Sequence, residues 1–229
     1  MIKTEQHKTD YLAPVSLGVV VRDHPGNAIE AAVTGCGSHD HASEHDCGSG
    51  PVLFASRIPA EVYAYFRSKH ETNDGTSDWH VIPLLDYDLR ELIRVKGGSV
   101  RCMIAFGMTM SKDGALLGKD GTPTVLYTVR AFAIEEEEVG KVVFSFEKPF
   151  EPILEEWAAM GLHSFEDTLR ELDAYSASAS ADVFKQAIAQ SRVEDTDLES
   201  IAWGVYCPVR ARWFVTTGLK VFASERTLH

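Results

Sequence analysis

Two apolar runs open the chain. Val15-Ser16-Leu17-Gly18-Val19-Val20-Val21 is rich in β-branched residues, and Ile29 to Val33 forms the second run. Between them, Asp23-His24-Pro25-Gly26-Asn27 supplies turn chemistry, because proline fixes φ and Gly-Asn tolerates left-handed geometry. The first 34 residues are therefore predicted to form a β-hairpin. After Pro51, the run Val52 to Ile58 reads as another strand. The period then changes. Pro59 suits a first helical position and Glu61 a first turn, while Val62, Tyr63 and Phe66 recur at helical spacing, so 59–70 is predicted to be a helix.

A polar loop at 71–78 precedes a short strand from His80 to Leu85, which Pro83 assigns to a sheet edge. Asp88 and Glu91 have the spacing of a capping box for a short helix with Leu89, Leu92 and Ile93 on its apolar face, ended by Gly97-Gly98. Val100 to Met108 alternates, with the even positions forming one apolar face. Residues 124–134 and 139–147 continue as strands, so 99–147 is predicted to be a three-stranded antiparallel meander. Two Asp-Gly turns, at 113–114 and 120–121, lie in its first connection.

Beyond residue 147 the pattern becomes helical. Ile153, Leu154, Trp157 and Ala158 form one stripe that stops near Gly161. Ser164 and Asp167 have capping-box character ahead of Phe165, Leu169, Leu172 and Tyr175. After a Ser/Ala connector at 176–180, Val183, Phe184, Ala187 and Ile188 form a third face. The tail returns to strands at 201–207, 209–216 and 219–223. The expected architecture is a single α+β domain over 1–229: a mostly antiparallel sheet, covering helices, and an acidic helical segment at 150–192 packed on the sheet.

Charge sharpens this division. The net charge is −12, and residues 135–200 carry 17 acids against 5 bases, which accounts for all of it. Such a surface repels phosphate backbones and disfavours nucleic-acid binding. It offers either a solvated face or a docking surface for a basic protein partner through 135–200. No apolar run approaches the roughly 18–20 residues of a membrane span, and the polar start lacks the apolar core of a secretion signal, so no membrane partner and a cytoplasmic location are expected. Four cysteines in 229 residues do not make a disulfide framework; Cys102 and Cys207 lie in strand patterns and are expected to be buried thiols.

The densest chemistry lies at 35–48. Cys36, His39, His41, His45 and Cys47 follow the spacing C-x2-H-x-H-x3-H-x-C between flanking glycines, on a predicted loop between two strands. Thiolates and imidazoles are the ligands of zinc, with copper and nickel as alternatives, and a tetrahedral site needs four of the five. The His-x-His pair is shared with metallo-β-lactamase-like hydrolases. Their motif continues to an aspartate, however, and here Ser43 holds that place, with the third histidine one residue late at His45.

The reading that follows is a metal-binding accessory or interaction protein organised by a zinc ion at 36–47. A metal-dependent enzyme with an open site in the same loop is the alternative, and a third reading is an acidic protein-binding or inhibitor module in which the loop is incidental. Two minor constellations remain. Asp78, His80, Asp86 and Asp88 bracket a strand and a helix start as an acid–base or hard-metal candidate. Arg210, Arg212 and Phe214 share one strand face, a basic and aromatic alternation of the kind that binds single strands.

Overall fold

The computed structural model describes residues 9–25, 28–32, 50–71, 78–133, 142–195 and 202–219. The elements are β1 (Thr9–Leu12), β2 (Gly18–His24), β3 (Ala28–Ala31), β4 (Val52–Phe54), α1 (Arg57–His70), β5 (His80–Pro83), α2 (Leu89–Val95) and β6 (Ser99–Met110). They continue with β7 (Leu116–Lys119), β8 (Thr122–Pro123), β9 (Val125–Ala133), β10 (Val142–Ser145), α3 (Glu147–Ala159), α4 (Phe165–Asp173), α5 (Ala177–Ala189), β11 (Val193–Asp195), β12 (Ala202–Cys207) and β13 (Arg212–Thr217). This is an α+β fold with a mostly antiparallel sheet, as the patterning predicts; the pairs β4–β6, β7–β11 and β1–β10 are parallel.

The long strand β6 is the axis of the sheet. One of its sides is taken by β9 from Ser99 to Met108. The opposite side is shared by two strands, β4 at Met103–Ala105 and β12 at Met108–Met110. Because β4 runs parallel to β6 and β12 antiparallel, their C-terminal ends approach each other beside Phe106 and Gly107. Ala55 N donates to Ala105 O at the last rung of β4, and the chain then leaves the sheet into α1. β2 pairs on one side with β4 and with its predicted hairpin partner β3, and on the other side with β5. Among the described residues β5 pairs with β2 alone, which is the edge position that Pro83 predicts.

Two apolar cores lie on the two faces of this sheet. One gathers Val19, Leu53, Cys102, Ile104, Phe106, Trp203 and Val205 with α2, α3 and the start of α4. The other gathers Val20, Phe54, Met103, Met108, Met110 and Tyr206 with α1, α5 and Leu172 at the end of α4. Residues of α3 and α4 thus join the first core, and residues of α4 and α5 the second. Trp157 ties α3 down, donating its indole N–H to Phe106 O at 3.1 Å.

Three local expectations need correction. The even positions of β6 face one core only as far as Phe106; Met108 and Met110 face the other. The cause is a β-bulge, since Ala105 opposes Tyr127 and Gly107 opposes Leu126, leaving Phe106 without an opposite residue and inverting the alternation beyond it. The third strand of the predicted meander, β10, pairs in parallel with β1 instead of β9. Phe144 stacks on Tyr11 at 5.7 Å and meets the Phe132 ring edge-on at 5.2 Å, and such contacts between distant segments override local pattern. Ser164 is left-handed (φ +53°) and makes no cap bond, whereas Ser176, expected in a connector, caps α5 by accepting from Ala179 N.

The turn chemistry holds. Asp120 and Gly121 both have positive φ in the tight β7–β8 turn, as an Asp-Gly hairpin requires. Asp88 accepts from Glu91 N at 2.9 Å and caps α2.

Candidate functional site

The five candidate metal ligands, Cys36, His39, His41, His45 and Cys47, lie outside the described residues. Among the described residues no group of three or more His, Cys, Asp or Glu side chains is placed to hold a metal ion. The metal-binding reading, with its enzymatic alternative, is corrected accordingly. It rested on proximity in sequence, and nothing described adds a ligand to it.

The other two cysteines are buried, as expected. Burial pushes the Cys102 thiol up to about 12, so its nucleophilic thiolate is scarce at neutral pH. Iodoacetamide at pH 8 is expected to modify Cys102 only after denaturation, which peptide mass spectrometry reads directly; labelling in the folded protein would contradict the burial.

Where β5 lies beside α1, the fold opens a cleft of about 430 Å³. Glu61, Ala64, Tyr65, Ser68 and Lys69 line it from α1, Asp78, Trp79 and His80 from the start of β5, and Ile188 from α5. The residues of α1 fall at i, i+3, i+4, i+7 and i+8, one stripe of a helix whose opposite stripe, Ile58, Val62 and Phe66, fills the core. Burial pushes the Glu61 carboxyl above the usual carboxylate range, although Arg57 and His80 both pull it down. Its Oε1 accepts from Arg57 Nε at 3.2 Å. His80 Nδ1 lies 3.3 Å from Asp78 O, and its Nε2 lies 3.9 Å from Asp23 Oδ2.

Trp79 forms a fixed wall of the cleft. Its backbone N–H donates to Ser68 Oγ at 2.8 Å, and its indole N–H donates to Glu71 Oε2 at 2.8 Å. The Arg22 and Arg67 guanidiniums lie 4.8 Å and 3.8 Å from the indole centroid. Glu71 also accepts from both arginines, and Arg22 continues to Glu30 at 2.6 Å. Burial raises the Glu30 pKa, but the bonds from Arg22 and His24 prevail and hold its carboxyl below the usual range. The network ties β2, β3 and α1 to Trp79 with every charge matched.

The sequence candidates divide accordingly. Asp78 and His80 reach the cleft; Asp86 lies in a 3-10 turn and Asp88 caps α2, so the proposed four-residue constellation is not assembled. Sequence reasoning does not find Glu61, which reads as a first-turn helix acid. Its signal was present in the polar stripe Glu61, Tyr65, Ser68, Lys69, which sequence alone does not distinguish from a solvated face. Arg210 lies in the turn before β13 and Arg212 opens the strand, so the predicted strand face is not formed, although their guanidiniums lie 5.3 Å and 4.7 Å from the Phe214 centroid. In the acidic segment, Glu151, Glu155, Glu171 and Asp173 face solvent on α3 and α4. No helix among the described residues is long and apolar enough to cross a membrane.

Among the described residues, three buried side-chain polar atoms have no hydrogen-bond partner: Ser56 Oγ, Tyr206 Oη and Trp213 Nε1. Ser56 is the N-cap of α1 but makes no cap bond. Pro59, the third residue of the helix, has no N–H and removes one of the two donors that an N-cap serine can accept from. Burial pushes the Tyr206 phenol above its ordinary value, with Cys207 adding to the shift, so it remains a protonated donor.

Comparison with known proteins adds no name to this geometry: no family model, curated protein or solved structure matches the chain.

Proposed function

We propose that the protein binds a small molecule bearing an aliphatic amine in the α1–β5 cleft, with Glu61 as the recognising carboxylate. The observation that carries this reading is a carboxyl group raised by burial inside a cleft of ligand size. A cation placed there favours the charged carboxylate that burial disfavours. Glu61 Oε1 is taken by Arg57, and among the described residues Oε2 has no partner to displace. Asp78 adds a second carboxylate to the lining, which against the Lys69 ammonium leaves one negative charge in excess, and the clamped Trp79 with Ala64 and Ile188 gives the alkyl part of a ligand an apolar wall.

The test compares 1,5-diaminopentane with pentane-1,5-diol as its uncharged match, following the melting temperature at fixed ionic strength. The amine is expected to raise Tm saturably and the diol not. Glu61→Gln should weaken the amine by about tenfold, the loss of roughly one charge-assisted contact. Because binding needs the ionised carboxylate, affinity should rise with pH through the raised Glu61 pKa and fall below it. An amine response equal in wild type and Glu61→Gln would overturn the reading. A basic protein partner for the acidic segment 135–200 is a separate proposal, supported by the solvent-facing row Glu151, Glu155, Glu171 and Asp173.

A further inference from the structure

We infer that a small oxyanion, a phosphate or carboxylate group, binds at the N-terminus of α1, where Ser56 caps the helix and the end of β12 brings Tyr206 towards the same stretch of β6. The strand pairing gives this placement. Ala55 bonds to Ala105 on β6, Gly204 opposes Met108 on the same side of β6, and α1 packs against β12. Ser56 is the next residue after Ala55, and Tyr206 lies two residues beyond Gly204. The Tyr206 ring belongs to the core formed by α1, together with Ile58 and Ala60.

Both side chains are more than nine-tenths buried, Ser56 with 6% and Tyr206 with 1% of its surface exposed, and neither polar atom has a protein partner. Trp213, which opposes Tyr206 across β12–β13 with the rings 5.6 Å apart, holds the third such atom. In a folded protein, buried polar atoms without partners are rare, and three on one face of one sheet need a common explanation.

The chemistry of the set names the class of ligand. Trp213 Nε1 only donates, and the Ser56 and Tyr206 hydroxyls are free to donate. The first turn of a 14-residue helix adds unpaired backbone N–H groups and the positive end of its dipole. Ile58, in that first turn, is fully buried, so water does not reach its N–H from the surface. The Arg57 guanidinium, half-exposed over the Phe184 ring at 5.0 Å, is paired through Nε with Glu61 and turns its Nη groups to an anion from the solvent side. Every group offered is a donor or a cation, and the matching partner is rich in acceptors and negative. This inference does not rest on the amine cleft; Arg57 also pairs with Glu61 there, so the Ser56 and Tyr206 variants, which leave that pair in place, are the ones that separate the two sites.

The test titrates the full chain with sodium phosphate, and separately with sodium acetate, at an ionic strength held constant with sodium chloride. Wild type is expected to show a saturable rise in Tm with one of the two anions and none with chloride alone; whichever anion acts identifies phosphate or carboxylate as the group. Tyr206→Phe, Ser56→Ala and Arg57→Gln should each weaken that anion by about tenfold. Without anion, Tyr206→Phe and Ser56→Ala should melt no lower than wild type, since each removes a buried hydroxyl that bonds to nothing in the protein. A structural hydroxyl predicts the opposite sign. No saturable response to either anion would overturn the inference. So would full response in all three variants (an adventitious ion only), or a lower Tm for anion-free Tyr206→Phe, which would show a hydroxyl already satisfied.

Discussion

Trp157→Ala is expected to lower the free energy of unfolding by about 3–5 kcal/mol, the range for truncating a large buried aromatic side chain. Trp157 is 1% exposed and meets the Phe165 ring edge-on at 5.1 Å, with Phe150 at 6.5 Å. Its indole also carries a hydrogen bond from α3 to β6, reaching Phe106 O. Removing it opens a cavity and takes a donor from a carbonyl at the bulge. Urea denaturation should show a midpoint shifted down with an unchanged slope. Trp157→Phe, which keeps most of the volume and loses the N–H, should cost less. The experiment also probes domain organisation. If the helical segment and the sheet unfold as one unit, tryptophan fluorescence and far-UV circular dichroism will give the same shifted transition in the variant. A second transition, with only the helical signal destabilised, would show that 147–189 melts separately.

Much of the fold was legible because it is written in local terms. The β2–β3 hairpin, the span of α1, the Asp88 cap, the edge position of β5 and the apolar faces of α3 to α5 each follow from residues within one element or one turn. What was illegible depends on contacts between distant segments. Nothing near β10 announces that Phe144 will stack on Tyr11, more than a hundred residues earlier, so pairing with β9 was the natural expectation. The site was obscured for a related reason. A cluster of cysteines and histidines is conspicuous in one dimension, whereas Glu61, Trp79 and Ile188 become neighbours only when α1, β5 and α5 pack. Glu61 is an ordinary helix acid in sequence; its raised pKa is a property of burial. Ser56 is similar. In sequence it belongs to the predicted strand over 52–58, whereas the strand ends at Phe54 and Ser56 becomes the N-cap of α1.

The bulge on β6 leads to the second large effect. A Cβ built on Gly107 would lie 2.6 Å from Trp203 Cε3, 3.0 Å from Cζ3 and 3.3 Å from Gly204 O. The Trp203 ring has little room to yield: it is 2% exposed, packs edge-on against Phe106 at 5.6 Å and donates its N–H to Gly218 O at 3.0 Å. Gly107→Ala is therefore expected to cost about 1–3 kcal/mol through overpacking. The cause can be isolated. Trp203→Phe removes the part of the indole that the new methyl would strike, at the cost of the Gly218 bond and some core volume. If steric conflict with that ring is what excludes a side chain at 107, the double variant should be less destabilised than the sum of the two single variants, with a coupling of roughly 0.5–3 kcal/mol. Strict additivity would place the penalty elsewhere, in the backbone of the bulge or in the approach to Gly204. That outcome would have its own meaning, because the bulge sends Phe106 to one core and Met108 to the other. A glycine required by the backbone would make the inversion of β6 a property of the strand itself, whereas a glycine required by Trp203 would make it a consequence of how β12 docks.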